Sequence, residues 1–262
     1  MNTHNSVYTT LKKAGETMII TVINQKGGVG KTTTAAALLS YYHEQGKKAL
    51  AVDMDPQCNL SLITGAEMGG RSVLGVLTSQ AAAADTIQHT QNGDIIAGAE
   101  ALSAAENFLN NTGKEYKLRE ALEPITGDYE RIIIDSPPAL GVLSVNALTA
   151  ADVVIIPCSA DLLSIQSLKQ LEKTIAEVKK YCNPKLTIAG ILLTKHNPRT
   201  ILSRDFQTLL EQEAAAIGTK VFKTAIRDSV AIKQAQAMQK SIFTQQGGAV
   251  DDYKAFIEEF EI

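Results

Sequence analysis

The chain has 262 residues, of which 45% are hydrophobic, and its 28 acidic and 25 basic residues give a net charge of −3. That hydrophobic fraction is enough for a packed core, so the composition excludes a wholly disordered chain. The negative charge excludes a protein that coats nucleic acid over its whole surface, but it is compatible with a local basic patch.

Residues 1–17 are polar and lack the apolar core of a signal peptide, so we expect a flexible extension ahead of one domain over residues 18–262. No stretch reaches the roughly 18 continuous apolar residues that a membrane helix needs. The cysteines Cys58, Cys158 and Cys182 share no short spacing, so they support neither a zinc site nor a disulfide framework. Reduced thiols in the cytosol are the simplest interpretation, and we expect a cytoplasmic protein.

The ordered pattern begins with a strand, a helix and a second strand. An apolar run over residues 18–23, rich in β-branched residues, predicts a buried strand. After a glycine-rich loop, residues 33–45 predict a helix closed by Gly46, and residues 49–53 predict the next strand. A unit of this kind holds its two strands parallel in one sheet.

Similar signals recur along the rest of the chain. Strands are predicted at residues 131–135, 153–157 and 186–193, with a short one at 220–224. Two amphipathic helices are predicted from apolar residues at helical spacing, namely Ile165, Leu168, Leu171, Ile175 and Val178 in one and Leu202, Phe206, Leu209 and Leu210 in the other. Residues 81–111 are Ala-rich and weakly periodic, so they predict no definite element. The sequence therefore predicts an α/β fold, a single domain with a mostly parallel twisted sheet and helices on both faces.

The loop after the first strand has the sequence Lys26-Gly27-Gly28-Val29-Gly30-Lys31-Thr32-Thr33. A general phosphate-binding loop has Gly, four residues and then Gly-Lys-Ser/Thr, and here Gln25 takes the place of the first Gly. The glycines let backbone N–H groups converge on an anion, and the helix directs the positive end of its dipole to the same place. We expect Lys31 to neutralise β- and γ-phosphate oxygens, Thr32 to hold Mg²⁺ and Thr33 to donate to an α- or β-phosphate oxygen.

Lys26 is an addition to the ordinary phosphate loop, which needs no lysine at its start. Its flexible side chain is long enough to reach phosphates bound to its own subunit or, where two subunits face each other, those of the partner. A solvated surface lysine is the other interpretation.

Three aspartates are expected at the carboxyl ends of parallel strands, where open α/β sheets bind ligands. Asp53 ends the second strand, Asp55 follows it, and Asp135 ends the strand at residues 131–135. We expect Asp55 to position and polarise an attacking water, and Asp53 to brace the loop or magnesium-bound waters. Asp135 has the place of a Walker B aspartate, which holds Mg²⁺, usually through water.

The glycine-rich loop resembles the deviant Walker A motif of the ParA/MinD superfamily of ATPases, and Val52-Asp53-Met54-Asp55-Pro56-Gln57 is similar to its ParA branch. The resemblance implies a P-loop NTPase that takes ATP and Mg²⁺. It also implies an ATP-dependent homodimer in which Lys26 crosses to the partner's nucleotide, with Lys31 and Asp55 as further catalytic residues. The loop from Pro137 to Gly141 resembles the segment that senses the γ-phosphate.

The resemblance also points to the base-binding and DNA-binding residues. It implies that the loops at Thr194 and at Ile226 and Arg227 flank adenine. Residues 195–240 carry eight positive and four negative side chains, a local charge of +4 that includes Lys233. Family members bind DNA without sequence preference as ATP dimers, and Arg199 and Arg227 lie where they carry DNA-contacting arginines.

The terminal segment, residues 251–261, has five acids against one lysine. Anionic lipid would repel such a helix, because a membrane-surface helix needs Lys and Arg on its polar face. We therefore expect no membrane partner. The helix is expected to cap the domain through its apolar residues Tyr253, Phe256, Ile257 and Phe260.

The expected function is that of a ParA-type ATPase that segregates a plasmid, chromosome or integrated element. The resemblance implies a ParB-like partner that stimulates hydrolysis and a nucleoid-associated ATP state. One alternative is a MinD-like, ATP-gated positioning or assembly scaffold that does not act on DNA. Another is a small-molecule ligase of the same fold, which would need a second substrate pocket.

Overall fold

The computed structural model describes residues 16–196 and 201–262. Within these residues, seven strands form one sheet in the order β3-β4-β2-β5-β1-β6-β7, and β3 alone runs antiparallel to its neighbour. The strands are β1 (Met18–Val22), β2 (Ala49–Asp53), β3 (Ile87–Thr90), β4 (Gly93–Ile96), β5 (Arg131–Asp135), β6 (Val153–Ser159) and β7 (Thr187–Thr194). The mostly parallel sheet predicted from the sequence is confirmed.

Helices cover both faces of this sheet, as predicted. They are α1 (Lys31–Glu44), α2 (Asn59–Thr64), α3 (Val73–Leu77), α4 (Ala105–Phe108), α5 (Lys117–Leu122), α6 (Val142–Ala150), α7 (Leu162–Tyr181), α8 (Ile201–Ala216), α9 (Val230–Ala237) and α10 (Gly248–Glu261). Along β1, Ile20 and Val22 pack with the α1 and α10 layer, whereas Ile19 packs with the α5 and α6 layer. This alternation explains the continuous apolar runs of the central strands β1, β2 and β5, because these strands are buried on both sides.

The register of the central strands brings two aspartates together. Val22, the last residue of β1, lies opposite Asp135 of β5, and Asp53 of β2 lies opposite Asp135 from the other side. The loop that leaves β1 therefore begins at the same carboxyl edge as both carboxylates. Helix α1 begins at Lys31, directly after that loop.

The strand predicted at residues 220–224 is wrong. Only Val221 of that segment forms an isolated bridge, to Ile191. The backbone N–H groups of Lys223 and Thr224 instead donate to the Glu259 carboxylate of α10, at 2.8 and 3.0 Å, so they are not available to a strand ladder.

The stretch 81–111, for which the sequence predicted no element, contains the hairpin of β3 and β4 and the short helix α4. Outside the described part lie residues 1–15 of the predicted extension. Thr17 is fixed to the domain, since its hydroxyl donates to the Tyr129 carbonyl at 2.6 Å.

The expected cap by the terminal helix is confirmed. Its apolar residues are buried, namely Tyr253, Phe256, Ile257 and Phe260. At its end, Glu261 accepts hydrogen bonds from the Tyr42 hydroxyl at 2.6 Å and from the Arg131 guanidinium at 2.9 Å. None of the helices in the described ranges is both long and apolar enough to cross a membrane.

Candidate functional site

A cavity of about 290 Å³ opens at the carboxyl edge of the sheet. Its walls come from the glycine-rich loop and the start of α1, from Asp55 and Pro138, and from Thr194, Ile226 and α9. The segments that the sequence predicted to bind phosphate, to activate water and to hold the base therefore meet in one place.

The glycine-rich loop reaches α1 through two residues with left-handed backbone. Gly28 has φ of 73° and Gly30 has φ of 90°, conformations that side chains with a Cβ rarely adopt. Gly30 is the N-cap of α1 and no side chain caps the helix there, so its first N–H groups remain available to an anion. This geometry is suited to binding an anion such as a phosphate group.

Lys31 lies at the first position of α1 and is 6% exposed. Its ammonium donates to the carbonyl of Lys26 at 3.2 Å. Burial lowers the pKa of Lys31, while the charges of Asp135 and Asp55 act in the opposite direction. A buried ammonium beside two carboxylates is suited to binding a multiply charged anion.

Asp135 is fully buried, and neither of its carboxylate oxygens has a hydrogen-bond partner among the described residues. Burial and the neighbouring Asp53 raise its pKa well above the ordinary value, although Thr32 and Lys31 oppose the rise. An unpartnered buried carboxylate is costly, so its presence calls for a physical explanation, of which a bound ion is one.

Asp135 fits Mg²⁺, because this cation takes oxygen ligands from one or two carboxylates together with substrate phosphates. The described residues do not bring three His, Cys, Asp or Glu side chains together as a complete metal cage. A cation held by Asp135 and the Thr32 hydroxyl would therefore share its coordination with a bound phosphate. This donor set agrees with the magnesium role expected for both residues.

Asp53 has its carboxylate engaged within the protein. Oδ2 accepts from the Ser61 hydroxyl at 2.7 Å and from the Ser61 N–H at 2.8 Å, and Oδ1 accepts from the Asp55 N–H at 3.1 Å. Burial raises the pKa of Asp53 to about 6, against the effect of these hydrogen bonds. Of the two roles expected for Asp53, the geometry favours bracing of the loop that carries Asp55.

Asp55 lies in the cavity wall and is 6% exposed. Its Oδ1 accepts the N–H of Gln57 at 3.0 Å, which fixes the side chain in an Asx turn. Since no hydrogen bond to Oδ2 is formed within the described residues, one oxygen remains for a water molecule.

Lys26 is turned away from the cavity of its own subunit. Its ammonium forms an ion pair with Asp161 and is 3.3 Å from the Ser159 hydroxyl and 3.5 Å from that of Ser164. Burial alone would raise the pKa of Asp161, but the hydrogen bonds from Lys26 and Ser159 lower it. In this structure, then, Lys26 is compensated within its own chain.

The cavity wall contains Thr194 and Ile226, which were expected to flank the base, and also Gln236, a residue that the sequence analysis missed. Thr194 is buried and donates to the Val29 carbonyl at 2.8 Å, which joins β7 to the glycine-rich loop. Gln236 of α9 donates to the Thr33 hydroxyl at 3.0 Å. The only signal for α9 was an apolar residue pair at 232 and 235 after a serine, which is too short to identify a helix.

The expected DNA-contacting residues have other contacts in this structure. Arg227 forms a two-pronged ion pair with Asp252 of α10, with distances of 2.7 and 2.8 Å. Lys233 is 3.5 Å from Asp228, and both side chains are exposed. Arg199 lies outside the described residues.

The chain matches a known domain family and is similar in sequence to bacterial proteins. The AAA domain family matches residues 17–188. The sporulation initiation inhibitor protein Soj of Bacillus subtilis is 39% identical over 229 residues, which cover 86% of this chain and 89% of that protein. The chromosome partitioning protein ParA of Caulobacter vibrioides is 36% identical over 231 residues, which cover 86% of this chain and 85% of that protein.

Two solved structures share the fold. Cobyrinic acid a,c-diamide synthase from Mycobacterium smegmatis, crystallised with an ATP analog and magnesium, is 32% identical with a TM-score of 0.83, covering 92% of this chain and 93% of that chain. Cyanthece apo McdA has a TM-score of 0.85 at 24% identity and covers 94% of this chain and all of that one, which supports the fold alone. With the deviant phosphate loop and the paired aspartates, these relationships establish that the chain belongs to the ParA branch of the ParA/MinD superfamily of ATPases.

Proposed function

We propose that this chain binds ATP with Mg²⁺ in the cavity at the carboxyl edge, hydrolyses it to ADP and phosphate, and uses the cycle to partition DNA. The observation that carries the proposal is Asp135, a fully buried carboxylate that has no hydrogen-bond partner in the part of the chain that the structure describes and that lies beside the buried ammonium of Lys31. A site of this kind is incomplete until a cation and an anion bind together. Magnesium and a nucleotide phosphate meet that requirement.

Within the site, each group has a separate task. The N–H groups of residues 27–33 and the Lys31 ammonium bind and orient the phosphates. Asp135 and Thr32 hold magnesium, which supplies positive charge against the charge developing on the phosphate oxygens. Asp55 accepts a hydrogen bond from the attacking water and aims it at the γ-phosphate.

In the proposed dimer, each subunit contributes its Lys26 to the nucleotide bound by its partner. In the proposed cycle, Lys26 leaves Asp161 when two ATP-bound subunits meet, and its ammonium reaches the partner's nucleotide. Its flexible side chain allows the exchange, and the anionic nucleotide replaces the carboxylate as counter-charge. ATP binding and dimerisation are coupled in this way.

The ATP dimer is proposed to bind DNA without sequence preference and to associate with the nucleoid. Support comes from the +4 local charge of residues 195–240, which two subunits would present twice, and from relatives whose names refer to chromosome partitioning. A ParB-like protein with basic residues near its N-terminus is the proposed activator of hydrolysis.

Titration calorimetry with ATP and Mg²⁺ tests the nucleotide site. Lys31→Ala should weaken binding by roughly 30-fold or more, because a buried charge partner is lost. Lys173→Ala, an exposed lysine on α7, is the control and should bind like the wild type. Equal affinity of Lys31→Ala and wild type would contradict the assignment of this cavity.

Retention on nonspecific duplex DNA tests the second half of the proposal. We expect binding with ATP, none with ADP, and a steep loss of binding as salt increases. Equal retention in both nucleotide states would contradict an ATP-gated DNA cycle and favour a positioning scaffold.

A further inference from the structure

The loop of residues 136–141, which joins Asp135 to α6, is fixed at both ends. At its start, the Ser136 hydroxyl donates to the Val22 carbonyl at 3.0 Å. At its end, the N–H of Val142, the first residue of α6, donates to Glu106 Oε1 at 2.9 Å. Glu106 belongs to α4. It is not among the residues that the sequence analysis assigned to the site, which were the glycine-rich loop and three aspartates.

Glu106 substitutes for the cap that α6 lacks. The N-cap residue is Gly141, and no side chain of its own turn accepts from the first N–H groups. A carboxylate at a helix N-terminus is favourable, because it satisfies an N–H group and faces the positive end of the helix dipole. Glu106 therefore holds the first N–H of α6, at the point where the loop from Asp135 ends.

Gly141 leaves the space that this contact needs. A Cβ on Gly141 would be 2.8 Å from Glu106 Oε1, closer than carbon and oxygen approach each other without bonding. The backbone of Gly141 has φ of −104° and ψ of −160°, an extended conformation that any residue adopts. A methyl group at this position would therefore force the Glu106 carboxylate, the end of a flexible and exposed side chain, to shift.

We propose that Glu106 is a positioning residue for ATP hydrolysis, acting through the N–H of Val142 to hold the loop beside the γ-phosphate. The inference rests on the proposed function, since it assigns the loop a part in that reaction. Glu106 does not line the nucleotide cavity, so its effect is expected on turnover and not on nucleotide affinity. Because Glu106 is itself exposed, the contact contributes little to global stability.

The test compares Glu106→Ala, Glu106→Gln and the wild type. Glu106→Ala should lower kcat by about tenfold, since a displaced loop misaligns the reacting groups. Nucleotide affinity and the thermal unfolding midpoint should remain at the wild-type values. Glu106→Gln keeps an oxygen acceptor and should restore most of the turnover. Asn107→Ala, on the same helix, is the control and should hydrolyse ATP at the wild-type rate.

Substitution of Gly141 tests the proposal in a second, independent way. Gly141→Ala should slow turnover in the wild-type background, because the new methyl group displaces the Glu106 carboxylate. In the Glu106→Ala background the same substitution should have little further effect, so the two changes are non-additive. Additive losses would mean that the residues act separately, and would overturn the proposal.

Wild-type kcat in Glu106→Ala would overturn it as well, as would equal losses in the Ala and Gln variants. These outcomes leave normal ATP hydrolysis by the wild type and therefore leave the proposed function standing. If the wild-type protein did not hydrolyse ATP in the presence of Mg²⁺, DNA and a basic activator peptide, the proposed function would be contradicted. The positioning role of Glu106 would then be contradicted as well, because it depends on that function.

Discussion

Lys26 forms an ion pair with Asp161, the residue that caps the amino end of α7. The two side chains are 25% and 39% exposed, so water only partly screens the pair. The same ammonium is needed at the partner's nucleotide in the proposed dimer. If the proposed dimer forms, the internal pair must compete with it, and we expect the strength of the pair to contribute to the free energy of association.

Replacement of Asp161 by Asn should favour the dimer. Asn preserves the cap of α7, in which Asp161 accepts from the Ser164 N–H at 3.1 Å, but removes the charge that holds Lys26. A partly exposed ion pair contributes up to about 1 kcal/mol, which corresponds to a gain of several-fold in the ATP-dependent dimerisation constant. Sedimentation equilibrium in the presence of ATP measures this dimerisation constant.

The control for this experiment is Glu120→Gln, which removes one surface carboxylate that pairs with Lys117 at 3.4 Å on α5. It changes the net charge by the same amount and should leave dimerisation unchanged. An Asp161→Asn protein that dimerises no better than this control would show that the ion pair does not oppose association.

Replacement of Asp55 by Ala should separate binding from hydrolysis. Loss of the carboxylate that orients water should lower turnover by roughly 10²–10⁴-fold, while ATP still binds, so the ATP dimer accumulates. Rapid-quench measurement of ADP and gel filtration with ATP test the two parts. Turnover at the wild-type rate would remove Asp55 from its role.

We expect Asp135 to make the stability of the nucleotide-free protein depend on pH. Burial raises its folded-state pKa, so the folded state holds a proton that the unfolded state releases, and stability falls as pH rises toward and through that pKa. Asp53, with a pKa of about 6 against 3.8, adds a loss of stability between about pH 4 and pH 6.

Without nucleotide or magnesium, Asp135→Asn should therefore unfold at a higher temperature than the wild type at pH 7.5, and the difference should shrink as pH is lowered. Each kcal/mol of charge burial that is relieved raises Tm by about 2–4 °C in a chain of this size. Scanning calorimetry at several pH values measures the difference. A variant that is less stable than the wild type at pH 7.5 would show that Lys31 and Thr32 offset the cost of burying this carboxylate.

Much of this fold follows from local sequence pattern. The apolar runs 18–23, 49–53 and 131–135 identified the central strands because each is buried on both faces, and the loop after the first run carried a specific motif. Asp135 could be placed in the site from sequence, since the carboxyl ends of parallel strands meet at one edge.

The remaining features depend on contacts between distant residues. The pair Glu106 and Val142 is separated by 36 residues, and Lys26 and Asp161 by 135, so no local periodicity reports either contact. The segment 220–224 has strand-like composition, yet Glu259 binds its backbone N–H groups and prevents a ladder. Tertiary contacts overrode the local preference there.

Gly190 offers a test of packing at the edge of the sheet. A Cβ at this position of β7 would be 2.7 Å from the ring of Phe222, which packs edge-to-face on Phe256 of α10 at 5.0 Å. Gly190→Ala should lower the free energy of unfolding by about 1–3 kcal/mol through overpacking. Urea unfolding measures it, with Gly127→Ala as control, because a Cβ there meets no atom within 4 Å. Equal stability of the two variants would disprove the close fit.

The central claim is that two subunits share their nucleotides through Lys26, and a crystal structure of Asp55→Ala with ATP and Mg²⁺ tests it most directly. We expect a dimer with a metal at Asp135, phosphates in the loop of residues 26–33, and the Lys26 ammonium on the partner's phosphates. A lone subunit with ATP bound and Lys26 still paired to Asp161, or a dimer that places Lys26 in solvent, would contradict it.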